Sequence, residues 1–390
     1  MRRELSGAVA DLGVLVPIAV ALIVQNGLSA TAVLLPAGAL YVTVAFAYRL
    51  PVAVQPLKAL GAIAIAKGLG ADEIAAAALI LGVVFLVLGT AGAVDRAGRA
   101  FPRALIRGVQ LTVGLLFLEV AWGLVSDPPS SFAANALAPS WAIPLGAGVA
   151  VLALLLRGRP IALGLVATGV LVMLVRADGV SSLGPSTIDL PSFSSATFAT
   201  AFVALVVPQL PLTFANSCLA PADAARTYFG ERARAVTPGR LATTLGSANL
   251  LAGAIGGMPV CHGAGGMTAH YAFGARTGRA PLAIGAVLLA VALMVGSALA
   301  MLLTAFPLPI LAGLLATAGL LHIGLLRDLR RASEWSVAGV VGALGFTVNL
   351  ALGLAVGLIL WWTPVLVRRL RSASWSSRSS LPWIRHSTRP

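Results

Sequence analysis

The residues best suited to chemistry in this 390-residue chain lie in a glycine-rich stretch of its second half, GGMPVCHGAGGMTAHYAFGARTG, residues 256–278. Proline fits the first turn of a helix, where its missing N–H is no loss, and glycine lets backbone N–H groups approach a ligand closely. We therefore expect a helix that starts at Pro259, inside an apolar region, with a bare N-terminus. Such an end carries about half of an elementary positive charge and several unpaired donors, so it can bind an anion.

A second stretch, PVAVQPLKALGAIAIA at residues 51–66, has the same plan: Pro-Val, then small and polar residues, then an apolar helix. Two interrupted segments at corresponding places in two halves of a chain are typical of a transporter's binding site. The alternative is a pair of glycine-rich helices whose small residues only permit close packing, but packing requires neither Lys58 nor His262. We expect residues 49–51 and 257–259 to be extended, because a residue before proline avoids the helical region.

The candidate binding groups are backbone N–H groups at the two helix starts and the polar side chains near them. They are Val54, Gln55 and Lys58 at the first start, Cys261, His262, Gly263 and Gly265 at the second, and Gln209 and Thr213 from a third apolar segment. We interpret His262 as a hydrogen-bond donor to an oxyanion, because Cys261 and His262 without a partner cluster are a weak metal signal. Asn216 and Ser217 either donate as well or satisfy backbone groups near a helix end.

Few titratable groups fall inside the apolar segments. We expect Lys58 one to two turns into its helix, where a central lysine costs roughly 2.5–3.5 kcal/mol on insertion scales and must be paired or functional. It attracts a dianion, forms an ion pair with Asp11 or reaches an aqueous edge. A carboxylate at Asp11 beside an anion site would repel the substrate unless protonated, which would couple anion entry to proton entry; a structural capping role is the alternative. Glu119 is expected at an interface, and His270 and His322 in packing or edge positions.

Composition indicates a membrane protein, because 58% of the residues are hydrophobic and only 10% are charged. The net charge of +14 does not indicate nucleic-acid binding, since the basic residues are scattered through loops. Two cysteines, Cys218 and Cys261, provide neither a disulfide framework nor a metal cluster. The sequence holds no nucleotide-binding loop, serine elbow or HExxH motif, so we expect no enzyme activity and no cofactor.

Hydropathy predicts an all-α polytopic protein of fourteen membrane segments. They lie near residues 5–26, 31–48, 51–67, 73–93, 104–125, 141–156 and 160–176, then 196–218, 238–256, 259–275, 280–303, 307–325, 334–350 and 352–368. With the N-terminus inside, nearly all Lys and Arg fall at inner ends, whereas the outer loops 126–140 and 178–195 contain none, as the positive-inside rule requires. Since seven is odd, residues 190–370 must cross the membrane inverted relative to residues 1–180, a 7+7 inverted repeat, with residues 371–390 as a short cytoplasmic tail.

The two signature stretches resemble the motifs of the molybdate transporter family, relatives of the sulfate permeases and, more distantly, of the uracil and xanthine permeases. ELSGAVADLGVLVPIAVAL at residues 4–22 and VVPQLPLTFANS at residues 206–217 are also similar to that family, so the resemblance covers residues 4–279. It implies a core domain of segments 1–4 and 8–11 and a gate domain of segments 5–7 and 12–14.

We therefore expect a secondary active transporter of a tetrahedral oxyanion, molybdate first and sulfate next, coupled to protons. Its partners would be the oxyanion, protons, the lipid bilayer and, as a candidate, a second copy of the chain, but no nucleic acid. We expect it in the cell membrane with both termini in the cytoplasm. The alternatives are a nucleobase permease, which would normally place acidic residues where Gln209 and His262 stand, an anion channel, or a membrane enzyme acting on lipid.

Overall fold

The computed structural model describes residues 2–10, 12–99, 101–156, 161–176 and 182–363, and the regular secondary structure in these ranges is helical apart from two short strands. A 3₁₀ turn covers Ser130–Asn135, and strand β1 is Gln55–Pro56. The first-half helices are α1 (Arg2–Val9), α2 (Leu12–Val24), α3 (Ala30–Ala47), α4 (Lys58–Lys67), α5 (Ala71–Thr90), α6 (Ala93–Arg99), α7 (Arg103–Ser126), α8 (Pro139–Leu155) and α9 (Ile161–Arg176).

The second half has a similar series of helices around strand β2 (Val260–Cys261). Its 3₁₀ turns are Gly230–Ala235, Gly296–Ala298 and Gly324–Asp328. The helices are α10 (Ser195–Ala201), α11 (Val207–Leu212), α12 (Ala220–Phe229), α13 (Pro238–Ala254), α14 (Ala264–Ala272), α15 (Arg279–Met294), α16 (Leu299–Thr304), α17 (Leu308–Ile323), α18 (Ala332–Thr347) and α19 (Leu350–Thr363).

Helices α10, α11 and α12 form one continuous helix that is widened at two places into π-helical turns, Phe202–Val206 and Thr213–Leu219. Prolines at 208, 211 and 221 lie in or beside these turns. Each proline removes a backbone donor and crowds the preceding turn, which breaks the regular bonding pattern of a helix. The helix therefore runs well beyond the predicted segment 196–218.

Five helices in the described residues are long and apolar enough to cross a membrane, and α15 joined to residues 296–304 makes a sixth if that bent pair is one span. The bend is 82°, so the segment predicted over 280–303 consists of two helices with a sharp bend between them. The backbone N–H of Gly184 donates to the Met294 carbonyl at 2.8 Å, and the backbone N–H of Ser297 donates to the Gly184 carbonyl at 3.1 Å. The loop that contains Gly184 thus occupies the Met294 carbonyl, which would otherwise accept the next hydrogen bond of α15.

The helices pack in two groups. In the first, α5 lies along α13 and α3 along α15; in the second, α7 packs against α17 and α18, and α17 against α8. Small residues permit the close approach: a Cβ on Gly246 of α13 would lie 2.5 Å from the backbone nitrogen of Leu86 on α5. The two strands pair within the first group, and the candidate site is built around them.

Candidate functional site

The strands β1 and β2 join the two signature stretches directly. They are antiparallel, with Gln55 opposite Cys261 and Pro56 opposite Val260. The Leu57 backbone N–H extends the pairing by donating to the Pro259 carbonyl at 3.1 Å. Because both strands are buried, the helices that follow them, α4 and α14, begin inside the protein rather than at its surface.

Asn249 of α13 holds β2 in place. Its Nδ2 donates to the Val260 carbonyl at 2.9 Å, and its Oδ1 accepts from the Val260 N–H at 2.7 Å. The side chain is fully buried, so it completes the bonding of a strand residue that water does not reach.

The helices start later than expected. Helix α4 begins at Lys58 and α14 at Ala264, so Lys58 is the first helical residue and not one to two turns inside. Residues 49–51 and 257–259 are non-helical, in line with the prediction, although Arg49 adopts a left-handed conformation with φ 54° instead of an extended one. Pro56 explains the delay in part, because it disfavours a helical conformation at Gln55 and Gln55 pairs with β2.

Gln55, Lys58 and Gly263 meet at the two helix starts. Lys58 Nζ donates to Gln55 Oε1 at 2.7 Å, and a Cβ built on Gly263 would lie only 1.8 Å from the same oxygen. The Gln55 oxygen therefore lies directly against the N-terminus of α14. First-turn N–H groups of a helix have no intrahelical acceptor, so the positive end of α14 and the Lys58 ammonium at the start of α4 both lie beside this one oxygen atom.

Phe117 of α7, in the second helix group, covers the site formed by Gln55, Lys58 and Gly263. Its ring centroid lies 5.3 Å from Lys58 Nζ, and a Cβ on Gly265 would lie 2.5 Å from its Cε2. Beyond it is a cavity of 390 Å³, within the usual range of ligand pockets, and among its lining residues are Lys58, Phe117, Glu119 and Leu315. Glu119 thus lies on the α7 side of this cavity.

Gln209 and Thr213 lie against the start of α4. Gln209 Oε1 accepts from the Leu60 N–H at 2.9 Å, and its Nε2 donates to Thr213 Oγ1 at 2.9 Å. Both side chains are buried. Gln209 therefore caps the start of α4, and Thr213 holds the Gln209 side chain in place.

The His262 ring, expected to donate to an oxyanion, contacts two protein groups in this structure. Nδ1 donates to the Ala53 carbonyl at 3.1 Å, and Nε2 lies 2.8 Å from Thr244 Oγ1. These contacts tie the segment before β1 to α13. Val54 is buried in the extended segment ahead of β1, and the Cys261 thiol lies 3.6 Å from the Pro56 carbonyl.

Asp11, the expected proton carrier, lies outside the described residues. Asn216 and Ser217 are buried in the second π-helical turn. Asn216 Oδ1 has no hydrogen-bond partner among the described residues.

Sequence reasoning missed a buried charge cluster, assigning its arginine to the inner end of a segment. Arg107 of α7 is fully buried and forms ion pairs with Asp223 of α12 and Asp328 of the turn after α17. Its Nη1 also donates to Gln110 Oε1 at 2.8 Å. This Arg107 cluster links the two helix groups.

His322 is another residue whose context the sequence did not reveal. It is buried, and its Nδ1 lies 2.8 Å from Thr268 Oγ1, which also accepts from the Tyr228 hydroxyl at 3.1 Å. The chain of contacts connects α12, α14 and α17. His322 Nε2 has no partner in the described residues, whereas His270 donates from Nδ1 to the Gly7 carbonyl, a packing role as expected.

Comparison with known proteins gives a consistent assignment. A family model described as "Molybdate transporter of MFS superfamily" matches residues 3–117 and 201–321, more than half of the chain. Molybdate transporter 2 of Arabidopsis thaliana is 29% identical over 97% of this chain and 89% of its own length. Molybdate transporter 1 of Chlamydomonas reinhardtii is 27% identical over 91% of this chain and 90% of its own length.

Solved structures show the fold. The transmembrane domain of a cyanobacterial bicarbonate transporter, BicA, aligns with a TM-score of 0.54 at 19% identity, over 92% of this chain and 96% of that one. The murine anion transporter Slc26a9 in its inward-facing state aligns with a TM-score of 0.60 at 14% identity, over 94% of this chain and 68% of that one.

Proposed function

This chain belongs to the molybdate transporter family, and from that premise we propose that it is a secondary active transporter of a tetrahedral oxyanion, with molybdate as its main substrate. The observation that carries the proposal is the meeting of two helix N-termini with Lys58 around the Gln55 oxygen. An oxygen atom of an oxyanion fits that environment better than the amide oxygen does, because it brings negative charge to three positive groups.

The charge balance of the site supports an anion. A lysine at the first position of a helix adds to the positive end of the helix dipole, an unfavourable arrangement by itself. Among the described residues, Lys58 forms no ion pair within 4.0 Å; the carboxylates of the three ion pairs present go to Arg103 and Arg107. A dianion placed between α4 and α14 would offset both helix ends and the lysine.

The packing pattern supports fourteen segments in a 7+7 inverted repeat, with residues 1–180 and 190–370 as the two halves. In this scheme α3 and α5 correspond to α13 and α15, and α7 and α8 to α17 and α18. If each helix is replaced by its counterpart, the contact of α5 with α13 becomes that of α15 with α3, and the contact of α7 with α18 becomes that of α17 with α8. Both of the resulting contacts are present. The first pairs form the core and the second the gate; residues 371–390, the proposed cytoplasmic tail, lie outside the described residues.

Substrate competition tests the function. Uptake of labelled molybdate into proteoliposomes should saturate and should be reduced strongly by unlabelled molybdate and tungstate, less by sulfate, and not by uracil. Stronger competition by sulfate would make it a sulfate transporter, and competition by uracil a nucleobase permease. Uptake that does not saturate would indicate a channel.

The proposal includes coupling of anion uptake to protons through Asp11. A dianion entering against a negative-inside potential works against about 2.3 kcal/mol per charge per 100 mV, so uptake needs an energy source. A proton on Asp11 would relieve its repulsion of the anion. We predict that Asp11→Asn still exchanges labelled for unlabelled molybdate but no longer concentrates it under an imposed pH gradient. Accumulation equal to that of the parent protein would assign Asp11 a structural role.

We also propose that the protein lies in the cell membrane with both termini in the cytoplasm, because nearly all Lys and Arg fall at the inner ends of the predicted segments. Association into a homodimer stays a prediction. Crosslinking in native membranes would test it.

A further inference from the structure

A basic pocket on the gate group takes no part in the proposed transport site. It has a volume of 540 Å³ and lies between the start of α7 and the turn that joins α17 to α18. We call it the arginine pocket; its lining residues are Arg103, Arg327, Asp328, Arg330, Arg331 and Glu334.

The pocket has more positive charge than its own carboxylates can neutralise. Asp328 is held by the buried Arg107 and also lies 3.9 Å from Arg103. Glu334 accepts from the backbone N–H groups of Arg330 and Arg331 at 3.0 and 3.1 Å, which caps the start of α18. In the described part of the chain, Arg327, Arg330 and Arg331 form no ion pair, so three guanidinium groups are available to an anion.

The surroundings of the pocket indicate a membrane interface. Trp335, one turn into α18, is 47% exposed, and its ring N–H donates to the Leu329 carbonyl at 3.1 Å. A tryptophan with an apolar body exposed and its polar end bonded is typical of the headgroup level of a bilayer. The four arginines are among those that the charge distribution assigns to the inner side, where anionic lipids give the surface a negative potential.

We propose that the arginine pocket binds the phosphate headgroup of an anionic phospholipid of the inner leaflet. The two non-bridging phosphate oxygens accept paired N–H bonds from a guanidinium group, and Arg327, Arg330 and Arg331 provide three such groups. The carboxylate of Asp328 does not prevent this, because both of its oxygens accept from Arg107 and the four arginines of the pocket outnumber its two carboxylates. The acyl chains would extend along the apolar surface that begins at Trp335.

The test compares lipid binding by three forms of the full chain purified in detergent. The site variant is Arg327→Gln with Arg330→Gln and Arg331→Gln, which keeps the backbone cap made by Glu334. The matched control is Arg99→Gln with Arg234→Gln and Arg279→Gln, exposed residues outside this pocket that remove the same charge from the same predicted side. Native mass spectrometry counts bound phosphatidylglycerol against phosphatidylcholine, and thermal unfolding measures the stabilisation that each lipid gives.

We expect the parent and the control to retain phosphatidylglycerol selectively, and the site variant to bind it at least tenfold more weakly, since each arginine near an anionic surface contributes about fivefold. Equal retention by the site variant and the parent would overturn the proposal, as would equal loss in the control. A third arm uses inorganic phosphate at matched concentration with phosphatidylcholine. If phosphate alone stabilises the parent as much as phosphatidylglycerol does, the pocket takes small anions and not lipid.

Discussion

At the scale of single residues, the site depends on an uncharged oxygen lying where an anion is expected. Gln55 Oε1 accepts from Lys58 and lies against Gly263 at the start of α14. In this structure the amide thus satisfies the lysine, and an incoming oxyanion would have to displace it or share the position. Any side chain at position 263 would compete with the Gln55 amide and with the oxyanion for the same space.

Gly263→Ala should reduce molybdate uptake at least tenfold. The backbone at Gly263 has φ −75°, which alanine adopts freely, so the effect would come from the methyl group 1.8 Å from Gln55 Oε1. Overpacking of this kind costs about 1–3 kcal/mol of stability. Initial uptake rates and the thermal midpoint, each normalised to protein in the membrane, provide the measurement.

Two further variants separate crowding from loss of the ligand. Gly148→Ala, which introduces a methyl group with nothing within 4 Å, should behave like the parent. Gly263→Ala combined with Gln55→Ala should recover the thermal midpoint without recovering uptake. Parental uptake by Gly263→Ala alone would exclude the start of α14 from the site.

Lys58→Gln should raise the KM for molybdate at least tenfold, because it removes the cation while keeping a hydrogen-bond donor at the same place. A double charge on the substrate makes its attraction to the lysine stronger than that of a monoanion. Lys67→Gln is the control, since Lys67 is an exposed lysine in the last turn of the same helix. An unchanged KM for Lys58→Gln would mean that the lysine contributes to structure and not to binding.

At the scale of elements, the site exists because α4 and α14 begin inside the protein. Each follows a two-residue strand, and the strands bond to each other. Before each of these helices the chain is extended, and backbone N–H and carbonyl groups of the two strands bond to each other. This bonding makes an interrupted segment acceptable in an apolar setting, where an unpaired backbone group is costly.

Asn249→Leu should test this arrangement. The substitution would leave the buried N–H and carbonyl of Val260 without the partners that Asn249 supplies. Each such loss costs about 1–3 kcal/mol, so we expect a destabilisation of about 2–4 kcal/mol, seen in thermal unfolding, together with loss of uptake. Ser247→Ala on the same helix removes an exposed hydroxyl that bonds only within its helix and should change neither. A parental thermal midpoint for Asn249→Leu would show that β2 keeps its place without this clamp.

At the scale of the whole molecule, the Arg107 cluster joins the two helix groups. Arg107 and Asp328 belong to the group of α7 and α17, whereas Asp223 belongs to α12, which contacts α13 of the first group. Movement of the two helix groups relative to each other would have to break the pair between Arg107 and Asp223, while the pair with Asp328 could stay intact. The cluster would then stabilise the arrangement of the two groups seen here.

Asp223→Asn should loosen that contact while leaving Arg107 paired with Asp328. We expect faster backbone hydrogen exchange in residues 220–229 and 324–328, with modest loss of stability. Arg107→Gln should instead destabilise by about 3–5 kcal/mol, because it leaves two carboxylates without their buried partner. Glu231→Gln, at an exposed position next to α12, is the control. If Asp223→Asn exchanges like the parent, the ion pair does not hold the two groups together.

The sequence by itself determined the membrane class, the two interrupted segments and most helix positions. These follow from local chemistry: the prolines at 51 and 56 and the proline and glycines within 256–263 disfavour a helix whatever packs beside them, and apolar runs predict helices without knowledge of their neighbours. Only the tertiary structure decided the partners of the polar side chains. The His262 ring bonds to Ala53 and Thr244, Gln209 caps Leu60, and Arg107 is buried between two aspartates 116 and 221 residues away. A side chain's role depends on which distant element packs beside it, and spacing along one chain does not contain that information.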